Sequence, residues 1–164
     1  MKLFEEIDNQ GKDLNLKLYG ARALMSLRLE KNWGAWGLEY RPDFTALESG
    51  LDQFINWQKD FIGKKQSLKE KENGPEKKLF VMVVDASDID VINDEAIIVN
   101  NECIGYVTSG GYAHYVQQSI AFGYLPIALL KKDIKLEIEI NGNLYSANII
   151  DKPLYDPTGS KMRS

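Results

Sequence analysis

The residues best equipped for chemistry stand together in Ser26-Leu27-Arg28-Leu29-Glu30-Lys31, with Trp33 and Trp36 close behind. Guanidinium, carboxylate and indole together suit a flat heterocycle that carries carboxylates. The ring stacks, its amide edge is recognised, and a guanidinium fork clamps the charged tail. Helix positions two apart do not share a face, so Arg28 and Glu30 need not pair. One can face a ligand while the other ties down the loop that follows. A surface ion pair beside two core tryptophans fits the same residue types, and those types alone leave both readings open.

Other constellations are weaker. Cys103 and His114 are the only cysteine and histidine, so neither an intrachain disulfide nor a thiolate metal cage can form. A Cys–His dyad would need the two to meet in space, and a buried thiol at a strand start plus a turn histidine is the plainer expectation. Asp85, Asp88, Asp90, Asp94 and Glu95 lack the Gly and terminal Glu of a calcium loop, so they read as a solvated acidic loop. Gly105, Gly110 and Gly111 make no dinucleotide fingerprint, because no helix follows them. Tyr155, Asp156 and Arg163 read as residues that close the fold and tether the tail.

Composition narrows the function classes. The 164 residues are 44% apolar and 27% charged with net charge −4, a globular balance without a general pull towards nucleic acid or anionic membrane. Lys64, Lys65, Lys69, Lys71, Lys77 and Lys78 cluster, but Glu70, Glu72 and Glu76 lie among them, as on a solvated helix end and linker. No apolar run approaches the roughly 20 residues of a membrane span, and the N-terminus does not read as a signal peptide. A cytoplasmic location is expected.

These side chains must be positioned by the elements around them. Leu3, Phe4, Ile7 and Leu14 mark the apolar side of a short helix from residue 2 to about 15, bent or ended near Gly11. A second helix runs from about Ala21 to Lys31, and Trp33 to Gly37 form an aromatic loop. Thr45 caps a helical turn through Glu48. A third helix, Lys64 to about Glu72, stops at Asn73-Gly74-Pro75. Beyond it the pattern changes to strands: Lys78–Asp85, Ala96–Val99, Ile104–Ser109, Ile120–Leu125, Lys135–Ile140 and Leu144–Ile150. Asn100-Asn101 and Asn141-Gly142 supply hairpin turns, and Gly110-Gly111 is expected to turn the chain between the third and fourth strands. Gly105 and Gly123, inside apolar strands, signal close backbone approach. The whole is α+β, with a mixed, helix-rich stretch of about 1–60, a helix and linker over 61–75, and a small antiparallel β-barrel over 76–164.

The chain resembles the glycine-cleavage T-protein (aminomethyltransferase) superfamily in four ordered segments. Gly20-Ala21-Arg22-Ala23-Leu24-Met25-Ser26-Leu27-Arg28-Leu29-Glu30-Lys31 resembles the family's helix, and Phe61-Ile62-Gly63-Lys64 its F-I-G-K/R segment. Ile104-Gly105-Tyr106-Val107-Thr108-Ser109-Gly110 is similar to its barrel strand, and Pro153-Leu154-Tyr155-Asp156-Pro157 through Met162-Arg163 to its closing motif. Glu30-Lys31 and Gly110-Gly111 look closest to the folate-binding region of dimethylglycine and sarcosine dehydrogenases.

The resemblance implies a tetrahydrofolate-binding unit of one-carbon metabolism, the helical tail of a ferredoxin-like folate domain followed by the barrel. In the family a methylene unit passes from an amine-bearing intermediate to a folate nitrogen, making methylenetetrahydrofolate. Carried over residue by residue, Arg28 orients the folate, Trp36 walls the pocket, and Glu30 either holds Arg28 or closes the loop. Ala46 stands where relatives usually have proline. The family's catalytic aspartate falls before the region matched here, so no catalytic residue is assigned and the chain is expected to be catalytically incomplete alone. Its expected partners are folate and either a polypeptide supplying the N-terminal half or a second copy. The alternative is a partner-docking barrel that does not bind folate.

Overall fold

A computed structural model describes residues 1–131 and 134–163. Helix α1 spans Lys2–Gly11 and α2 spans Ala21–Glu30. Helix α3 spans Lys64–Asn73, all charged or polar but Leu68, and buries no residue. Six strands follow: β1 (Lys77–Val84), β2 (Ala96–Val99), β3 (Glu102–Ala113), β4 (Gln118–Pro126), β5 (Leu136–Ile140) and β6 (Asn143–Ile150). All pair antiparallel, in the order β1-β4-β3-β2-β5-β6, and β6 returns to β1 to close a barrel. The α+β class and the antiparallel barrel expected from the sequence are both present.

Strand alternation divides the apolar residues between two cores. Met82, Val84, Ile97, Val99, Val107, Ala121, Ile138 and Ile140 fill the barrel. Val81, Ala113, Ile120 and Phe122 face outwards, and Leu29 of α2 covers them. β4 therefore buries both faces, which is why it reads as apolar at nearly every position. Full burial of a side chain such as Leu29 or Phe122 stabilises the fold by about 1.5–3 kcal/mol. The contact between α2 and β4 is thus strong enough to fix the end of the helix.

Gly123 permits the barrel's curvature. A Cβ there would stand 2.3 Å from Ile97 Cδ1 and 3.1 Å from the Tyr106 carbonyl oxygen, the close approach expected from its place in an apolar strand. The glycine pair behaves differently from expectation. Gly110 and Gly111 lie inside β3, paired with Ala121 and Ile120, and the chain turns at residues 114–117, where Gln117 takes φ 56°. Gly110 is needed for space: a Cβ would stand 2.8 Å from both Val91 Cγ1 and the Val91 carbonyl oxygen. Cys103, expected to be buried, is exposed. The tryptophans are not in the core either, since Trp33 and Trp36 are 49% and 88% exposed.

Candidate functional site

Helix α2 begins after extended Gly20 and runs through good helix formers, Ala, Leu, Met and Arg, to Glu30. Lys31 closes it, donating its N–H to the Arg28 carbonyl, and Asn32, whose N–H donates to the Leu29 carbonyl, takes the chain off the axis at φ 55°. Leu29 anchors the last turn on β4, which leaves Arg28 and Glu30 buried on either side of it.

Arg28 enters a closed polar network. Its Nη1 donates to Glu39 Oε2 at 3.3 Å and to the Trp33 carbonyl at 3.1 Å, and Nη2 donates to Ser109 Oγ at 2.7 Å. Nε meets Met25 Sδ at 3.5 Å, and the guanidinium carbon lies 5.7 Å from the centre of the Phe122 ring. Glu39 is fully buried. It also accepts from Ala35 N–H at 2.8 Å, Thr108 Oγ1 at 2.7 Å and the Ser109 hydroxyl. Desolvation pulls the Arg28 guanidinium below its usual pKa, and the Glu39 carboxylate partly offsets this. Of the five guanidinium N–H groups, one on Nη2 has no partner among the described residues.

The opposite side of the helix end is tied to the β3–β4 turn and the C-terminal segment. Glu30 Oε1 accepts the Tyr115 N–H at 2.9 Å, and the Glu30 carbonyl accepts the Tyr155 N–H at 3.1 Å. Lys31 Nζ donates to the Asp156 carbonyl at 2.8 Å and pairs with its carboxylate at 3.3 Å. Burial alone would raise the Asp156 pKa. Hydrogen bonds from Lys31, Ser160 and the Lys161 N–H outweigh it and hold the carboxyl low. The tethering expected of Tyr155 and Asp156 is made here.

Between these anchors lies an apolar cleft of about 370 Å³, walled by Leu24, Leu27, Trp33, Tyr115 and Tyr155 and backed by Arg28, Glu30 and Lys31, whose charged groups are turned into the contacts just described. Tyr115 and Tyr155 meet edge to face at 5.0 Å. Arg28 and Glu30 thus share one cleft. Trp36 lies elsewhere, edge-on to Tyr40 at 6.3 Å, in a groove of about 320 Å³ with Pro42 and Leu51. Glu39, Thr108, Ser109 and Tyr115 are the site residues that the sequence did not single out. Thr108 and Ser109 stood in the matched strand segment, but nothing in Leu38-Glu39-Tyr40 marks Glu39 as buried. Among the described residues no group of three or more His, Cys, Asp or Glu side chains could hold a metal. An apolar, aromatic-walled cleft of this size, backed by a buried guanidinium and a buried carboxylate, can hold a planar ring.

Two family profiles match the chain one after the other: the GCVT N-terminal domain over residues 1–59 and the glycine cleavage T-protein C-terminal barrel domain over 77–156. The chain belongs to the glycine-cleavage T-protein superfamily. Members of the family include human mitochondrial dimethylglycine dehydrogenase, 37% identical over 98% of this chain and 19% of its own length. The aminomethyltransferase of Synechocystis is 36% identical over 83% of this chain and 37% of its own. The structure of the glycine cleavage system aminomethyltransferase T from Bartonella henselae superposes with a TM-score of 0.83 at 22% identity, covering 93% of this chain and 44% of that one. The chain therefore spans between about a fifth and somewhat under half of these family members.

Proposed function

We propose that this chain is a tetrahydrofolate-binding region of an aminomethyltransferase- or dimethylglycine dehydrogenase-like protein in one-carbon metabolism. Residues 1–60 belong to the folate domain, 61–75 link it to the barrel, and 76–164 form the barrel. The observation that carries the reading is the α2 cleft, with its apolar aromatic wall and the buried Arg28 and Glu30 behind it. In this reading the folate ring lies along Trp33 and Tyr115, the spare Arg28 N–H donates to the ligand, and Glu30 holds the turn that closes the cleft. Trp36 walls the ligand from its own groove when the rest of the fold is in place. No bond-making step is assigned to these residues; they bind and orient.

The test is a tetrahydrofolate titration followed by the fluorescence of Trp33, Trp36 and Trp57, beside Arg28→Ala. Saturable quenching that the variant loses supports the reading. A flat titration in both proteins removes folate binding by this chain alone.

A second reading has its own support. Leu3, Phe4, Ile7, Leu14, Leu18 and Tyr19 are all at least half exposed, so the apolar side of the N-terminal stretch faces outwards. This face docks the polypeptide that supplies the remainder of the family's fold. Co-expression with that segment should yield a stable 1:1 complex in light scattering, whereas a self-associated species would assign the face to a second copy. We place the chain in the cytoplasm. No helix of the described residues is long and apolar enough to cross a membrane, and since the human relative is mitochondrial by name, cell fractionation decides the compartment.

A further inference from the structure

A separate cleft of about 290 Å³ opens where residues 41–44 cross the barrel wall, and none of Arg28, Glu30 or Trp36 lines it. Its centre is Phe44, stacked on Tyr124 with centroids 3.6 Å apart and planes 10° from parallel. The stack fixes the ring and covers one of its faces. Two cations gather at this ring: Lys77 Nζ stands 4.7 Å from its centroid and the Arg41 guanidinium carbon 5.4 Å. Arg41 is further held by the Tyr106 hydroxyl at 2.5 Å.

The charges in this cleft do not balance. Asp43 is its only carboxylate, two-thirds exposed and 3.4 Å from Arg41 Nε. Arg41 Nε is nevertheless buried without a hydrogen bond. Lys77 is half-buried at the start of β1 and has no carboxylate within 4.0 Å among the described residues. Two cations beside one ring repel each other until an anion lies between them. A guanidinium and an ammonium on an aromatic platform present the donors that an oxyanion accepts. The surplus positive charge is local, in a chain whose net charge is −4.

We propose that this cleft binds a small oxyanionic ligand, a polycarboxylate or a phosphate, through Arg41 and Lys77. The proposal goes beyond the folate reading and uses none of its residues.

The test is a ¹H–¹⁵N titration of the chain with citrate and, separately, with inorganic phosphate at constant ionic strength, reading the Gly105 and Tyr106 amides and the Arg41 Nε–H. Saturable shifts are expected with at least one of the two, and the anion that saturates tells carboxylate from phosphate chemistry. Lys77→Gln and Arg41→Gln should each weaken binding about tenfold or more, the effect of losing one charge-assisted hydrogen bond. Lys77→Arg should keep most of the affinity. Lys65→Gln, on the exposed side of α3, should bind as the parent does, and because Arg41 and Lys77 lie outside the folate cleft, failure of the folate titration leaves this result intact. Thermal melting establishes that the variants fold, and Lys77→Gln decides if Arg41→Gln does not. Linear, unsaturable shifts with both anions, equal affinity in Lys77→Gln, or loss of binding in Lys65→Gln would each overturn the assignment.

Discussion

Glu39→Gln isolates what the buried carboxylate contributes. The side chains of Arg28 and Glu39 are 8% and 0% exposed, so the ion pair is almost fully withdrawn from water. Glutamine keeps the volume and one carbonyl oxygen, which can still accept from Arg28 Nη1 and Ala35 N–H. Its NH2 group then faces the Thr108 and Ser109 hydroxyls, which can rotate to accept. Most of the hydrogen bonds can therefore survive, and the loss is the counter-charge to a buried guanidinium. Removing one partner of such a pair costs about 3–5 kcal/mol. With a urea slope near 2 kcal/mol/M, the unfolding midpoint should drop by about 1.5–2.5 M. Removing both charges in an Arg28→Met, Glu39→Leu double variant should recover roughly half of the loss, because no uncompensated charge remains. Equilibrium urea unfolding followed by far-ultraviolet circular dichroism gives both numbers. A Glu39→Gln variant within about 1 kcal/mol of the parent would refute the view that Glu39 neutralises Arg28.

Two further perturbations probe the barrel. Gly123→Ala places a methyl against Ile97 Cδ1 and the Tyr106 carbonyl. It should lower stability by about 1–3 kcal/mol, and an unchanged melting temperature would contradict the packing. Burial pushes the Tyr124 phenol up to about 12, against the lowering effect of its Ser49 hydrogen bond. The fold favours the protonated form, so this contribution is complete below the unfolded pKa of about 10 and is lost as pH rises through about 12. In a phenolate absorbance titration one of the eight tyrosines should ionise late, with a matching fall in stability. Simultaneous ionisation of all eight in a folded protein would count against it.

How much of this the sequence carried depends on the range of the interaction. The extents of α2, α3, β2 and β5 were readable to within two residues because period and stop signals are local. Arg28 and Glu30 stood out because cation, carboxylate and indole fall within a dozen positions. Glu39 did not, because its burial is created by Thr108 and Ser109, about 70 residues further on. The glycine pair misled for a related reason. A turn and a close approach both require glycine, and only the position of Val91 shows that β3 continues through Gly110.

The sequence separation of these contacts also sets an order of events. Arg28 reaches Ser109 across 81 residues and Ser26 reaches the Tyr112 carbonyl across 86. Closing loops of that size is entropically costly until the intervening strands are paired, and distant pairings form slowly. During synthesis the end of α2 emerges long before its partners on β3. Its arginine stays hydrated until the barrel strands arrive, and the α2 cleft is completed only as the barrel closes. A translation arrest placed before β3 should therefore leave α2 without its anchors, exposed to proteases that the finished chain resists.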